Sequence, residues 1–183
     1  MKFKSIKIIV IPIIVAVIFI VSTSFLYAKY TGQVLVHQEF PQIQDWNSLR
    51  IILDRGRCLG TCPDYRVEIH GDGTVLYEGF SFVATKGKRQ GSLSQNDVHQ
   101  LFEQFKKTDY FSLNESYRSE VTDQPTYTTF ISFDKQRKSV KDYFGRQVGM
   151  PKSVTELEDA IDKYAGTEKW VKGTSTTNTL KKK

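Results

Sequence analysis

From Tyr65 to His70 apolar and polar residues alternate without a break, the period of a strand buried on one face. Gly71-Asp72-Gly73 follows, and the alternation resumes over Thr74–Gly79. A three-residue loop, a type I turn with Gly73 in the left-handed region, puts Ile69 opposite Val75 and Val67 opposite Tyr77. A two-residue turn would set Val67 against Glu78 and is rejected. Leu49–Leu53 reads as an earlier strand, and Phe80–Ala84 as a further one. Lys86–Gly91 has no apolar residue and reads as a solvated loop.

The period then changes. Val98, Leu101, Phe102 and Phe105 recur at helical spacing behind Ser94, whose hydroxyl can accept from a free amide. Asp97 lies near the positive end of the helix dipole. This helix is expected to end near Lys107, before an irregular stretch from Tyr110 to Pro125. Tyr127, Thr129, Ile131 and Phe133 share one face of the next strand. Asp134–Arg137 turns the chain and Lys138–Tyr143 returns it. Pro151 opens a second helix with the stripe Val154, Leu157, Ile161 and Tyr164, closed by Gly166. Strands joined by tight turns, with helices appended, predict an α+β fold. It is a single domain, residues 48–166, with a twisted antiparallel sheet carrying two α-helices on one face.

The ends of the chain differ from this domain. Three lysines, Lys2, Lys4 and Lys7, precede an apolar run. Ile8–Val21 is 14 residues, the size of the apolar core of a cleaved signal peptide, and Ile8–Ala28 is 21 uncharged residues. The longer stretch is enough to span a bilayer. Leu26 spoils a cleavage site ending at Ala28, whereas Ser22 permits one ending at Ser24. Residues 1–28 are therefore expected to be an uncleaved signal anchor, with a signal peptide as the alternative. The lysines hold the N-terminus in the cytoplasm. The domain then lies outside it, in the periplasm or extracellular space, secreted if the segment is cut. Residues 29–47 read as a linker and 167–183 as a polar basic tail, largely disordered, which apart from Trp170 has too little to bury to order itself.

Charge sharpens the picture. The chain holds 26 basic and 20 acidic side chains, yet residues 48–166 hold 17 of each. The excess lies at the two ends. A nucleic-acid-binding domain needs a basic face for phosphates, so no nucleic-acid partner is expected. The expected partners are the membrane, through residues 8–28, and a protein or ligand of the cell envelope.

Two cysteines, Cys58 and Cys62, are the only ones. Outside the cytoplasm an isolated pair tends to oxidise, and a structural disulfide pinning the loop before Tyr65 is the preferred reading. The alternative is a thiol redox or copper(I) site, because Cys-x-x-x-Cys-Pro resembles the loop of copper-delivery proteins with a thioredoxin fold. Two soft thiolates would then need a histidine, His70 before His99 or His37. Zinc would need two further ligands. A third reading is a binding surface around the loop, built from Arg55, Arg57, Asp64, Tyr65, Tyr77 and Asp123, in which Asp123 can pair with Arg55 or Arg57; a plain structural salt bridge or an Asx-turn is the preferred reading of Asp123 itself. No cofactor is expected. There is no nucleophile elbow, phosphate loop or zinc-protease helix. No catalytic residue is assigned.

The element Cys58-x-Gly60-x-Cys62-Pro63-x-Tyr65, with Leu53, Arg55, Asp72-Gly73 and Tyr77-x-Gly79, resembles the family called domain of unknown function 6438. Thr122-Asp123-x-Pro125-Thr126, Asp142-Tyr143-x-Gly145, Pro151 and Ile161-Asp162 extend the resemblance over about Leu49 to Trp170. Leu59 departs from it where an aromatic residue is usual. The resemblance implies a recurring unit, often in exported bacterial proteins, and brings no activity with it.

Overall fold

Ile51 and Leu53, Val67 and Ile69, Val75 and Tyr77, Ile131 and Phe133 are fully or almost fully buried, each separated by one residue. That alternation builds one face of a sheet. The computed structural model of the protein describes residues 39–173, so the expected membrane or signal segment, the first part of the linker and the end of the tail lie outside the described residues. Among the described residues no helix is long and apolar enough to cross a membrane.

The strands are β1 (Arg50–Arg55), β2 (Asp64–His70), β3 (Thr74–Ser81), β4 (Gly87–Ser92), β5 (Ser116–Arg118), β6 (Tyr127–Phe133) and β7 (Gln136–Tyr143). They form one sheet of seven strands in the order β4-β3-β2-β1-β6-β7-β5. The β2–β3 register is the predicted one, with Ile69 opposite Val75 and Val67 opposite Tyr77. Gly73 has φ 87°, and its amide donates to the His70 carbonyl at 2.9 Å. A Cβ at Gly73 would also meet the Leu93 carbonyl oxygen at 2.4 Å, so backbone conformation and space both demand glycine.

The two main helices are α1 (Gln95–Lys107) and α2 (Lys152–Ala165). The Asp97 amide donates to Ser94 Oγ at 3.1 Å. Val98, Leu101, Phe102 and Phe105 of α1 and Val154, Leu157 and Ile161 of α2 enter the same core as the inward strand residues. Pro151 caps α2, and Gly166, at φ 62°, ends it. A short helix α3 (Glu168–Val171) follows.

Five expectations change. The β6–β7 turn is two residues, Asp134-Lys135, with Asp134 at φ 49° and Phe133 opposite Gln136, rather than the four residues Asp134–Arg137. The sheet is mixed, because β5 pairs parallel with β7. Three residues are too few for a period to register. Lys86–Gly91 is not a loop: Gly87–Ser92 is the edge strand β4, paired with β3 from Thr74↔Ser92 to Gly79↔Gly87. An edge strand exposed on both faces carries no apolar signal. Phe80–Ala84 is not a separate strand. β3 runs to Ser81 through an irregularity opposite Asp64 and Tyr65, and Phe82, at φ 54°, ends it. Finally, the domain reaches beyond both expected bounds. Phe40 packs edge-on to Phe102 and Phe111, and Trp170 stacks on Tyr77 at 4.9 Å.

The register defines two ends of the sheet. β1, β3, β5 and β7 finish, and β2, β4 and β6 start, at one end, here called the rim. The chain enters at the opposite end, where the amides of Gln44 and Asp45 donate to the Asp134 carboxylate at 2.8 and 3.1 Å.

Candidate functional site

Arg55 continues the inward alternation of Ile51 and Leu53, so its side chain points into the helix layer and is 12% exposed. There α2 presents Glu158, Asp159 and Asp162, four residues or fewer apart and therefore on one helical face. The guanidinium meets Asp162 Oδ2 at 3.0 Å from Nε and at 2.8 Å from Nη2, and Asp159 Oδ1 at 3.1 Å. It lies over the Tyr127 ring at 4.3 Å. The other Asp162 oxygen accepts from the Tyr65 and Thr167 hydroxyls, each at 2.7 Å. Burial works against the Arg55 charge, but the Asp162 and Glu158 carboxyls more than offset it and raise its pKa. Burial, then Asp162, pushes the Tyr65 phenol up. This is a clamp: one guanidinium and one carboxylate tie β1, β2, β6, α2 and the turn into α3.

Glu158 is the outlier within it. The residue is 1% exposed, and neither carboxyl oxygen has a hydrogen-bond partner. Arg55 Nη1 is 3.7 Å from Oε2, too long for a hydrogen bond. Burial pushes the Glu158 carboxyl up to about 8; Arg55 opposes the shift, while Asp142, Asp159 and Asp162 add to it.

The expected site residues divide into two groups. Arg55 and Tyr65 join through Asp162, and Tyr77 lies beside Tyr65 with ring centroids 5.7 Å apart. Arg57 and Asp64 pair with one another at 3.5 Å on the loop side. Asp123 pairs with neither arginine: its carboxylate accepts from the adjacent Thr122 hydroxyl at 3.2 Å. The inward turn of Arg55 delivers it to helix acids instead. Cys58 and Cys62 form a disulfide. His70 fails as a third copper ligand, because the cysteine loop leads into one end of β2 and His70 sits at the other, six residues and about 20 Å away. It contacts Glu68 Oε1 at 2.8 Å, while His99 stacks on Trp46 at 3.9 Å. His37 lies outside the described residues.

The family model described as Domain of unknown function (DUF6438) matches residues 49–165. The chain belongs to this family. No curated protein matches the sequence. The span shared with DUF6438 runs from just before β1 to the end of α2 and therefore holds the Arg55, Tyr65 and Asp162 clamp and the cysteine loop. Phe40 and Trp170 fall outside the DUF6438 match.

The rim shows a feature that sequence patterning missed. Among the described residues six large apolar side chains are exposed, and five of them, Leu59, Phe80, Phe82, Phe144 and Val148, come from segments at the rim. Leu59, at the tip of the disulfide loop, is 81% exposed. Phe82 and Phe144 both have φ 54°. A left-handed backbone at a bulky residue costs on the order of 1 kcal/mol, and neither side chain is buried in return. Glycine or asparagine would serve those turns better, so the turns alone do not account for phenylalanine there. Phe82 gave no signal, because Phe80-Ser81-Phe82 reads as strand alternation. Glu158 did give one: it lies four residues after Val154 and three before Ile161, on the buried stripe.

Proposed function

We propose that this protein is a binding module, held outside the cytoplasm by an anchor within residues 1–28, that meets its partner through the apolar rim. The observation that carries the reading is the gathering at one end of five of the six large apolar side chains exposed among the described residues, two of them on strained backbone. Exposed apolar residues scattered singly need no explanation; a cluster marks an interaction surface. The clamp acts as its foundation, holding the ends of β1 and β2 from which the disulfide loop projects.

Site-specific photo-cross-linking in intact cells tests this. A photoreactive phenylalanine analogue at Leu59 or Phe82 should give a discrete adduct, whereas the same group at Ser132, on the opposite half of the sheet, should not. Identical labelling at all three positions, or none at any, would end the proposal.

The disulfide is assigned a structural part. Replacing Cys58 and Cys62 together by serine should lower the unfolding free energy by about 2 kcal/mol, the loop-closure effect of so short a ring. Urea denaturation measures it. The native circular-dichroism spectrum should remain. A variant that keeps full stability but loses its rim adducts would instead make the bond a functional redox element.

A further inference from the structure

We infer that the partner of the rim is the surface of an anionic lipid bilayer. The inference rests on the reading of the rim as the binding surface and names its occupant. Three observations favour lipid over a protein partner.

The first is shape. The apolar tips stand on separate loops, strung along the sheet from the end of β3, through the β1–β2 loop, to the end of β7. β3 and β7 are four strand spacings apart, a row of about 19 Å. A protein interface needs a contiguous, close-packed centre. A headgroup layer needs only tips that can sink to the acyl boundary, with leucine and phenylalanine as the inserted groups.

The second is charge. Between strand ends, the rim segments 56–63, 82–86, 119–126, 144–150 and 166–173 hold five basic and three acidic side chains, and Lys88 and Arg89 follow at the start of β4. Residues 48–166 as a whole hold equal numbers. The positive charge is thus displaced toward the apolar end, and Lys86, Lys88 and Arg89 form no ion pair among the described residues. Basic side chains flanking apolar tips match an anionic headgroup layer.

The third is reach. Ten residues, 29–38, separate the apolar stretch from the described domain. Extended, they cover about 35 Å, more than the roughly 23 Å of a seven-residue strand. A bilayer holding residues 8–28 is therefore within reach of the rim although the chain enters the domain at the other end. Anchor and rim would then act as two membrane signals on one chain, each reinforcing the other.

The test uses the chain from Glu39 to Lys183, which contains every member of the hydrophobic core among the described residues. It is sedimented with vesicles of phosphatidylcholine alone and with about one third phosphatidylglycerol. The expected result is partition to the anionic vesicles, reduced about tenfold or more by Leu59→Asp combined with Phe82→Asp. Leu76→Asp, an exposed apolar position on the sheet face, should leave partition unchanged. Exposed positions make unfolding an unneeded explanation, and thermal melts of all three chains check that. Absence of partition overturns the inference. So does equal partition of the doubly substituted chain, since binding would then reflect the lysine tail alone. In either case protein adducts from Leu59 and Phe82 would preserve the binding module and transfer the rim to a protein partner; absence of both would remove both readings.

Discussion

Glu158→Gln is expected to make the domain more stable than the natural chain above about pH 8, and no more stable than it near about pH 5. The sign follows from the proton count. In the folded protein burial pushes the carboxyl up to about 8, against an ordinary 4.5 in the unfolded chain. Between these values the folded state holds a proton that the unfolded state has released, so stability falls as pH rises. Below about 4.5 both states are protonated and the contribution is constant; above about 8 the full penalty has accrued. At about 1.4 kcal/mol per unit the penalty is on the order of 3–5 kcal/mol. Glutamine removes the titration but keeps a buried amide whose unmade hydrogen bonds cost about 1–3 kcal/mol. The two stability curves should therefore cross between about pH 5 and pH 8, with the variant ahead by about 2 kcal/mol near pH 9. Urea midpoints of both chains at several pH values measure this. A difference that does not vary with pH would show that Glu158 is ionised throughout and satisfied in the folded state.

Arg55→Met is expected to be among the most destabilising single substitutions in the domain, by about 3–5 kcal/mol near neutral pH. Methionine fills much of the volume, so the loss is electrostatic rather than a cavity. It leaves Asp162 with the Tyr65 and Thr167 hydroxyls as donors but no counter-charge, and Asp159 without its buried cation. Arg55→Lys should fall between, losing about 1–2 kcal/mol, because one ammonium cannot bridge Asp162 and Asp159 while lying flat over Tyr127. Arg55→Met combined with Asp162→Asn should recover part of the loss, since the uncompensated charge goes with its partner. Strict additivity of the two substitutions in chemical denaturation would mean that they do not act as a clamp.

Much of this domain is legible along the chain. Val67, Ile69, Val75 and Tyr77 declare a two-residue period and a register, because half-buried strands must alternate and a glycine at positive φ sets the turn. The stripes of α1 and α2 are equally plain, for each helix buries one face only. What fails does so for identifiable reasons. β4 has no apolar side chain of its own, so its pairing with β3 leaves no periodic signal along the chain. β5 has a single buried anchor, Tyr117. Of the candidate residues around the cysteines, Arg55 and Tyr65 meet through Asp162, which is distant in sequence and carries no local signal, while Asp123 touches neither arginine.

Local periodicity, capping and turn chemistry thus determine by themselves the α+β class, the β2–β3 register, the helix bounds and the position of the cysteine loop. They act between residues a few positions apart, and such couplings are written into neighbouring letters. The tertiary structure alone decides which acids of α2 receive Arg55, why Glu158 is left without a hydrogen-bond partner, and that Leu59, Phe82 and Phe144 share one rim. Those relations depend on where a strand end comes to rest against helix residues more than a hundred positions later, and on which side chains the packed core leaves outside. Exposure is what remains after every other element has docked, and no local pattern encodes it.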